Sequence, residues 1–172
     1  MDARLLTLLT RLQRSGFAEL AGSDARATIR IAAPLLNEAA ATFAASTPAV
    51  RDVVIRPRTS NHIEVGLKLA RPAFLPSLNL TLLIERQPEL PQSPELVLRL
   101  SGAGGMMRLL GPAISSFGSL PPGVRLDGDL IFVNLHTLLR ERGYGEMLDY
   151  VEQLQVMSED GELVLLVQLR IR

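Results

Sequence analysis

Residues 62–69 alternate strictly between two kinds of side chain, and no other stretch of the sequence constrains the fold as strongly. Successive residues of a β-strand point to opposite faces, so every second position shares a face. One face of this strand would therefore carry only aliphatic residues: Ile63, Val65, Leu67 and Leu69. The other positions hold polar or small residues, and such a two-faced strand is typical of an antiparallel sheet with one face in water.

The same alternation elsewhere in the sequence predicts further strands, and apolar residues that recur every three or four positions predict helices. We expect strands at 27–32, 50–56, 78–84, 94–101, 124–126, 130–133, 150–157 and 162–171. We expect helices at 2–14, at 34–47, at 106–117, and from the N-cap Asn134 to about Gly143. In the helix at 34–47, the residues expected to form an apolar stripe are Leu35, Leu36, Ala39, Ala40 and Phe43.

Two stretches of the predicted chain have the same layout. Residues 27–70 and residues 130–171 both run strand, helix, strand, polar turn, strand, although few residues are identical between them. A duplicated β-α-β-β unit and the chance recurrence of a common layout both account for this similarity. With 172 residues, the chain is expected to form a single domain over 1–172.

The aliphatic strands need more apolar cover than the predicted helices supply. We therefore expect an α+β fold in which a strongly curved antiparallel sheet wraps around one or two helices. Such a sheet encloses either a filled core or an elongated apolar cavity. The residues predicted to line the cavity are Leu36, Ile63, Val65, Leu67, Leu69, Leu78, Leu80, Leu82, Leu98, Met106 and Leu110.

Three segments give this layout a resemblance to a known superfamily. They are the run Pro34-Leu35-Leu36-Asn37-Glu38, the strands at 53–55 and 63–69, and the stretch 128–135, which enters a short helix. In these segments the chain resembles the tubular lipid-binding superfamily, and within it the small bacterial LmeA-like proteins. The resemblance covers most of residues 27–171, and it implies a helix wrapped in curved sheet and apolar ligands such as phospholipids.

Composition and charge narrow the function further. Eighteen basic residues balance eighteen acidic ones, whereas proteins that bind nucleic acids normally carry a basic excess, so no nucleic-acid partner is expected. The chain has no cysteine, which suits a reducing compartment.

Residues 1–16 are expected to form an amphipathic helix without the features of an export signal, and no segment is apolar enough to span a bilayer. We therefore expect a cytoplasmic protein, in contrast to the LmeA-like proteins.

No stretch carries a complete catalytic or metal-binding motif. The glycine-rich turn at 101–105 lies between a strand and a helix, but it lacks the lysine and hydroxyl residue of a P-loop. His62 and Glu64 share a strand face, and two ligands are too few for a metal site. An enzyme that uses the glycine-rich turn therefore ranks well below the two functions that follow, and no cofactor is expected.

Two functions remain in close competition. The first is non-catalytic binding of a lipid or another apolar small molecule in the aliphatic cavity. The second is a structural or protein-interaction domain that forms homo-oligomers through the helix at 1–16 or an uncovered strand edge. That helix has two further roles open to it, namely packing on its own domain and peripheral contact with a membrane.

Overall fold

The computed structural model describes residues 22–70, 77–101, 120, 122–141, 143 and 145–170. The segment 1–16, the helix at 106–117, and the predicted lining residues Met106 and Leu110 lie outside these ranges. The strands are β1 (Asp24–Ala32), β2 (Val50–Pro57), β3 (His62–Leu69), β4 (Leu78–Arg86), β5 (Glu95–Ser101), β6 (Val124–Asp127), β7 (Leu130–Asn134), β8 (Val151–Glu159) and β9 (Glu162–Arg170). The helices are α1 (Ala33–Ser46) and α2 (Leu135–Glu141), and a 3-10 helix follows at Gly145–Tyr150.

The described strands form two sheets in which every pair of neighbours is antiparallel. The three-stranded sheet has the order β1-β9-β8, and the six-stranded sheet has the order β2-β3-β4-β5-β7-β6. The predicted α+β class with antiparallel sheet is therefore confirmed, with the strands divided between two sheets. The strong curvature of one sheet around a helix stays a prediction.

The structure contains both predicted strand-helix-strand-strand units, and each unit starts in one sheet and ends in the other. The unit β1-α1-β2-β3 begins in the three-stranded sheet and ends in the six-stranded one, whereas β7-α2-β8-β9 runs in the opposite direction. Each helix therefore carries the chain from one sheet to the other. The origin of the two units by duplication stays a prediction.

Most of the predicted apolar stripe of helix α1 is exposed. Only Ala40 is buried, while Leu35 is 59% exposed and Phe43 is 45% exposed. The reason is the position of the helix, which packs beside β2 at the edge of the six-stranded sheet. There the contact is partly polar, because Asn37 bonds to the backbone of Ile55.

Helix α2 begins as the sequence predicts. The N–H of Thr137 donates to the side-chain oxygen of Asn134 at 2.9 Å, which satisfies one of the free donors of the first turn. Asn134 also donates its own N–H to the carbonyl of Gly123 at 2.7 Å. Gly123 has φ of +83°, a conformation that glycine adopts without steric cost.

Candidate functional site

The six-stranded sheet has one face that is aliphatic across its central strands. The register places Ile63 opposite Leu82, Val65 opposite Leu80, and Leu67 opposite Leu78. Leu82 in turn faces Leu100 on β5, and Leu98 faces Ile131 on β7. Eight of the predicted lining residues therefore share this face: Ile63, Val65, Leu67, Leu69, Leu78, Leu80, Leu82 and Leu98.

At one end of this face the two sheets pack together, and we call this region the sheet interface. Its buried residues are Ile63, Ile84, Leu96 and Val156. From the three-stranded sheet, Val156 is joined by Leu154, Leu163 and Leu165. Side chains therefore occupy the space next to Ile63, and the predicted lining residues Val65, Leu82 and Leu98 pack against the same cluster.

The other end of the face carries a leucine cluster with a different composition. Its members are Leu67, Leu69, Leu78, Leu80, Leu82 and Leu100. Leu78 is 6% exposed and Leu100 is 7% exposed. Within the described part of the chain, all six side chains come from β3, β4 and β5 and stand on the same face of one sheet. Five of the six members are predicted lining residues, and the sixth, Leu100, was not predicted.

The remaining predicted residue, Leu36, is half-buried on α1. Neither apolar cluster of the six-stranded sheet includes it. Its prediction depended on α1 facing the centre of the sheet, and α1 instead lies beside β2. Among the described residues, the candidate apolar site therefore belongs to the sheet alone.

Polar contacts fix the two sheets to each other beside the sheet interface. Ser158 on β8 is 3% exposed, and its hydroxyl donates to the carbonyl of His62 at 2.7 Å. The same hydroxyl accepts the N–H of Arg58 at 3.1 Å, while the N–H of Ser158 donates to Asn61 Oδ1 at 3.2 Å. Because buried polar groups cost free energy unless they are paired, these bonds fix β8 against the turn between β2 and β3.

A second polar contact joins the sheets farther along β8. Gln87, just after β4, donates from Nε2 to the carbonyl of Val156 at 2.8 Å, and accepts the N–H of Val156 on Oε1 at 2.8 Å. The sequence gives no periodic signal for this residue or for Ser158, because each acts through a contact between distant segments. The end of the face at the sheet interface is therefore held closed by side chains and hydrogen bonds.

The opposite face of the six-stranded sheet carries ion pairs. Arg99 bonds to Glu85 and to Asp129, each at 2.6 Å, and its hydrogen bonds to the two carboxylates raise its pKa. Glu64 accepts a hydrogen bond from Arg58 at 3.0 Å, which holds the pKa of this carboxyl below its usual value. These partners leave the charged groups neutralised in solvated pairs.

His62 and Glu64 are the two candidate metal ligands that share a strand face, and two ligands are too few for a metal site. Glu64 is paired with Arg58, and the backbone carbonyl of His62 is bonded to Ser158. Within the ranges that the structure describes, no three His, Asp or Glu side chains come together as a metal site would require. Of the glycine-rich turn at 101–105, only Ser101 is described, and its hydroxyl donates to the carbonyl of Thr81 at 3.2 Å.

A concavity that the sequence did not predict lies on the three-stranded sheet. It has a volume of about 350 Å³, and its lining is Arg26, Ala27, Thr28, Gln153, Gln155, Leu166, Val167 and Gln168. Four of these residues are charged or amide side chains, so the concavity differs in chemistry from the predicted aliphatic cavity. The alternation of Arg26, Thr28 and Arg30 along β1 was the available signal for this polar face.

Comparison with known proteins assigns no family. No family model, no curated protein and no solved structure matches the chain. The resemblance to the tubular lipid-binding superfamily therefore stays a prediction. No helix in the described ranges is long and apolar enough to cross a membrane.

Proposed function

We propose that this protein binds a lipid, or another ligand with an aliphatic chain, against the apolar face of its six-stranded sheet. The observation that supports this proposal is the leucine cluster. Its six described side chains stand on one face of one sheet, whereas the other end of the face packs against a second sheet. A ligand would lie along the leucine cluster and end at the sheet interface.

The chemistry of the cluster favours a flexible alkyl chain. Leucine offers no hydrogen-bonding group, so binding would come from burial of apolar surface, at roughly 0.8 kcal/mol per buried methylene. Each further methylene that reaches the cluster would then strengthen binding about fourfold. The affinity is therefore expected to rise with chain length until the cluster is covered.

Native mass spectrometry of the purified protein, combined with organic extraction, tests the proposal directly. We expect a ligand-bound mass and an extractable lipid. A fluorescent fatty acid should bind to the delipidated protein and be displaced by unlabelled fatty acids in order of chain length. A single apo mass, an empty extract and no binding of the fluorescent fatty acid would together contradict the proposal.

Neighbouring strand positions provide a matched pair of variants. Leu80 belongs to the leucine cluster, whereas Leu83 lies on the opposite face, where it pairs with His62 and Arg99. Leu80→Gln should weaken fatty-acid binding, and Leu83→Gln should leave it unchanged. Circular dichroism verifies that both variants are folded, and equal losses of binding would contradict a site on the leucine face.

The competing function, an interaction domain that assembles through a strand edge, is favoured by one separate observation. Residues Asp24 to Arg30 of β1 are all exposed, and β1 is an edge strand. This observation is independent of the leucine cluster, so both functions are compatible with the same fold.

A further inference from the structure

The two sheets have four edges, and three of them are covered or short. At β2, the side chain of Asn37 bonds to the N–H and carbonyl of Ile55. At β8, Gln87 does the same for Val156, and Asn61 accepts the N–H of Ser158. The third of these edge strands, β6, is only four residues long. Short strands and covered edges are the usual protection against unwanted strand pairing.

Strand β1 forms the remaining edge and lacks such protection. It is nine residues long. The bond from the Ala33 N–H to the Gly161 carbonyl, 2.8 Å long, fixes which of its residues face β9, because hydrogen-bonded positions alternate along an antiparallel pair. Odd-numbered residues bond to β9, so the N–H and carbonyl groups of Arg26, Thr28 and Arg30 point outward. Within the described ranges, these backbone groups have no hydrogen-bond partner.

We propose that β1 pairs with β1 of a second copy of this chain, antiparallel and with Ala27 opposite the partner's Ala27. The pairing joins two three-stranded sheets into one continuous six-stranded sheet across a twofold axis. It is isologous, so a single edge serves both copies and the assembly closes as a dimer. It also places donors and acceptors opposite the outward groups of Arg26 and Thr28.

Charge favours this register over the neighbouring registers centred on Thr28 and on Ile29. With Ala27 at the centre, Asp24 lies opposite the partner's Arg30, and opposite charges across strands are stabilising. With Thr28 at the centre, Arg26 would instead lie opposite the partner's Arg30, and like charges directly opposite are destabilising. With Ile29 at the centre, Asp24 would fall beyond the paired segment.

The proposed contact extends ion pairs that already exist within each copy. Asp24 bonds to Arg170 at 3.1 Å, and Arg30 bonds to Glu159 at 3.0 Å and to Glu162. The new ion pair between Asp24 and the partner's Arg30 joins these existing ion pairs into one row of charges that alternate in sign. On the other face of the sheet, the partner's Ala25 comes opposite Ile29, which is 47% exposed in the single chain.

The absence of native cysteine allows a direct test of the register. In the proposed dimer, Ala27 and the partner's Ala27 form a non-hydrogen-bonded pair with Cα atoms about 4.5 Å apart, which suits a disulfide. Ala27→Cys should give a disulfide-linked dimer under mild oxidation at low protein concentration. Ile29→Cys is the matched control and should link much more slowly. Faster linkage of Ile29→Cys would overturn the register.

Substitutions of opposite charge at Thr28 should change the affinity of the dimer in opposite directions. In this register Thr28 lies opposite the partner's Arg26, which has no ion-pair partner among the described residues, and the contact occurs twice. Thr28→Glu should therefore tighten the dimer roughly 2- to 30-fold, and Thr28→Lys should weaken it by a similar factor. Pairing centred on Thr28 would give the opposite result for Thr28→Glu, because two glutamates would meet.

Sedimentation of the full chain supplies the decisive measurement. We expect a species of twice the 18.8 kDa chain mass. Thr28→Pro should convert it to a monomer, because proline removes an outward N–H that does not bond to β9, while Thr28→Ala should leave the dimer intact. A wild-type monomer at every concentration, or a dimer unaffected by Thr28→Pro and by both charge variants, would overturn the proposal.

Discussion

The side-chain amide of Asn37 holds the backbone of Ile55 as a neighbouring strand would. Its Nδ2 donates to the Ile55 carbonyl at 2.9 Å, and its Oδ1 accepts the Ile55 N–H at 2.7 Å. Helix α1 thereby closes the edge of the six-stranded sheet at β2. Gln87 bonds to Val156 in the same way at β8, so amide side chains protect one edge of each sheet.

Removal of the Asn37 amide should destabilise the fold. Asn37→Ala leaves the N–H and carbonyl of Ile55 without their partner, at a cost of about 1–3 kcal/mol in the free energy of unfolding. Urea denaturation measures this change. Glu38→Ala, at the exposed neighbouring position, is the control and should stay within about 0.5 kcal/mol of the wild type. Equal effects of the two variants would show that the contact contributes nothing specific.

Loss of the Gln87 contact should act locally on β8. In Gln87→Ala the amide of Val156 loses its acceptor, so its hydrogen exchange should become faster, whereas the amide of Val164 in β9 should exchange at a rate limited by global unfolding. Gln92→Ala changes an exposed glutamine in the same connection and serves as the control. Unchanged exchange at Val156 would contradict the role assigned to Gln87.

Two glycines with positive φ should differ in their tolerance of alanine. A Cβ at Gly123 would come within 2.9 Å of the Thr137 Cβ and within 3.0 Å of the Asn134 carbonyl, whereas nothing lies within 4 Å of one at Gly128. Gly128→Ala should cost about 1–2 kcal/mol for the left-handed backbone, and Gly123→Ala should cost more. Thermal unfolding of both variants measures the difference, and similar losses would show that α2 shifts to accommodate the methyl group.

Local elements were largely predictable, and the assembly of the sheets was not. The alternation at 62–69 gave β3 with its observed bounds, and the other described strands lie within about three residues of their predictions, because strand periodicity is a local property. The pairing of β1 with β9 joins Asp24 to Arg170, and no local pattern encodes a contact across that separation. The division into two sheets therefore emerged only from the structure.

The candidate site was predictable to a similar extent. Period-two alternation placed Leu67 and Leu69 on one face, and the register then aligned Leu67 with Leu78 of the next strand. The error at α1 has a physical cause. Leu35 and Phe43 have the spacing of an apolar stripe, but Asn37 gains two bonds by turning toward Ile55, and Leu35 remains exposed. Hydrophobic spacing alone does not include such polar contacts.

Acid titration should reveal the pair formed by Arg58 and Glu64. The hydrogen bond from Arg58 is the main cause that holds the pKa of Glu64 below its ordinary value of 4.5. A lowered pKa means that the pair stabilises the fold above about pH 4.5, and that this contribution is lost as the pH falls through the folded-state pKa. Carboxyl-carbon NMR should show a larger rise of the Glu64 pKa in Arg58→Gln than in Arg56→Gln, since Arg56 acts only through a weaker charge interaction.

Truncation of two leucines on β4 should separate the two faces of the six-stranded sheet. Leu78 is 6% exposed in the leucine cluster, so Leu78→Ala should lower the free energy of unfolding by about 2–5 kcal/mol through lost burial and a residual cavity. Leu83 is half-buried on the polar face, and Leu83→Ala should cost less because solvent fills the space it leaves. Denaturation of the delipidated protein measures both. A smaller loss for Leu78→Ala than for Leu83→Ala would contradict the greater burial of Leu78.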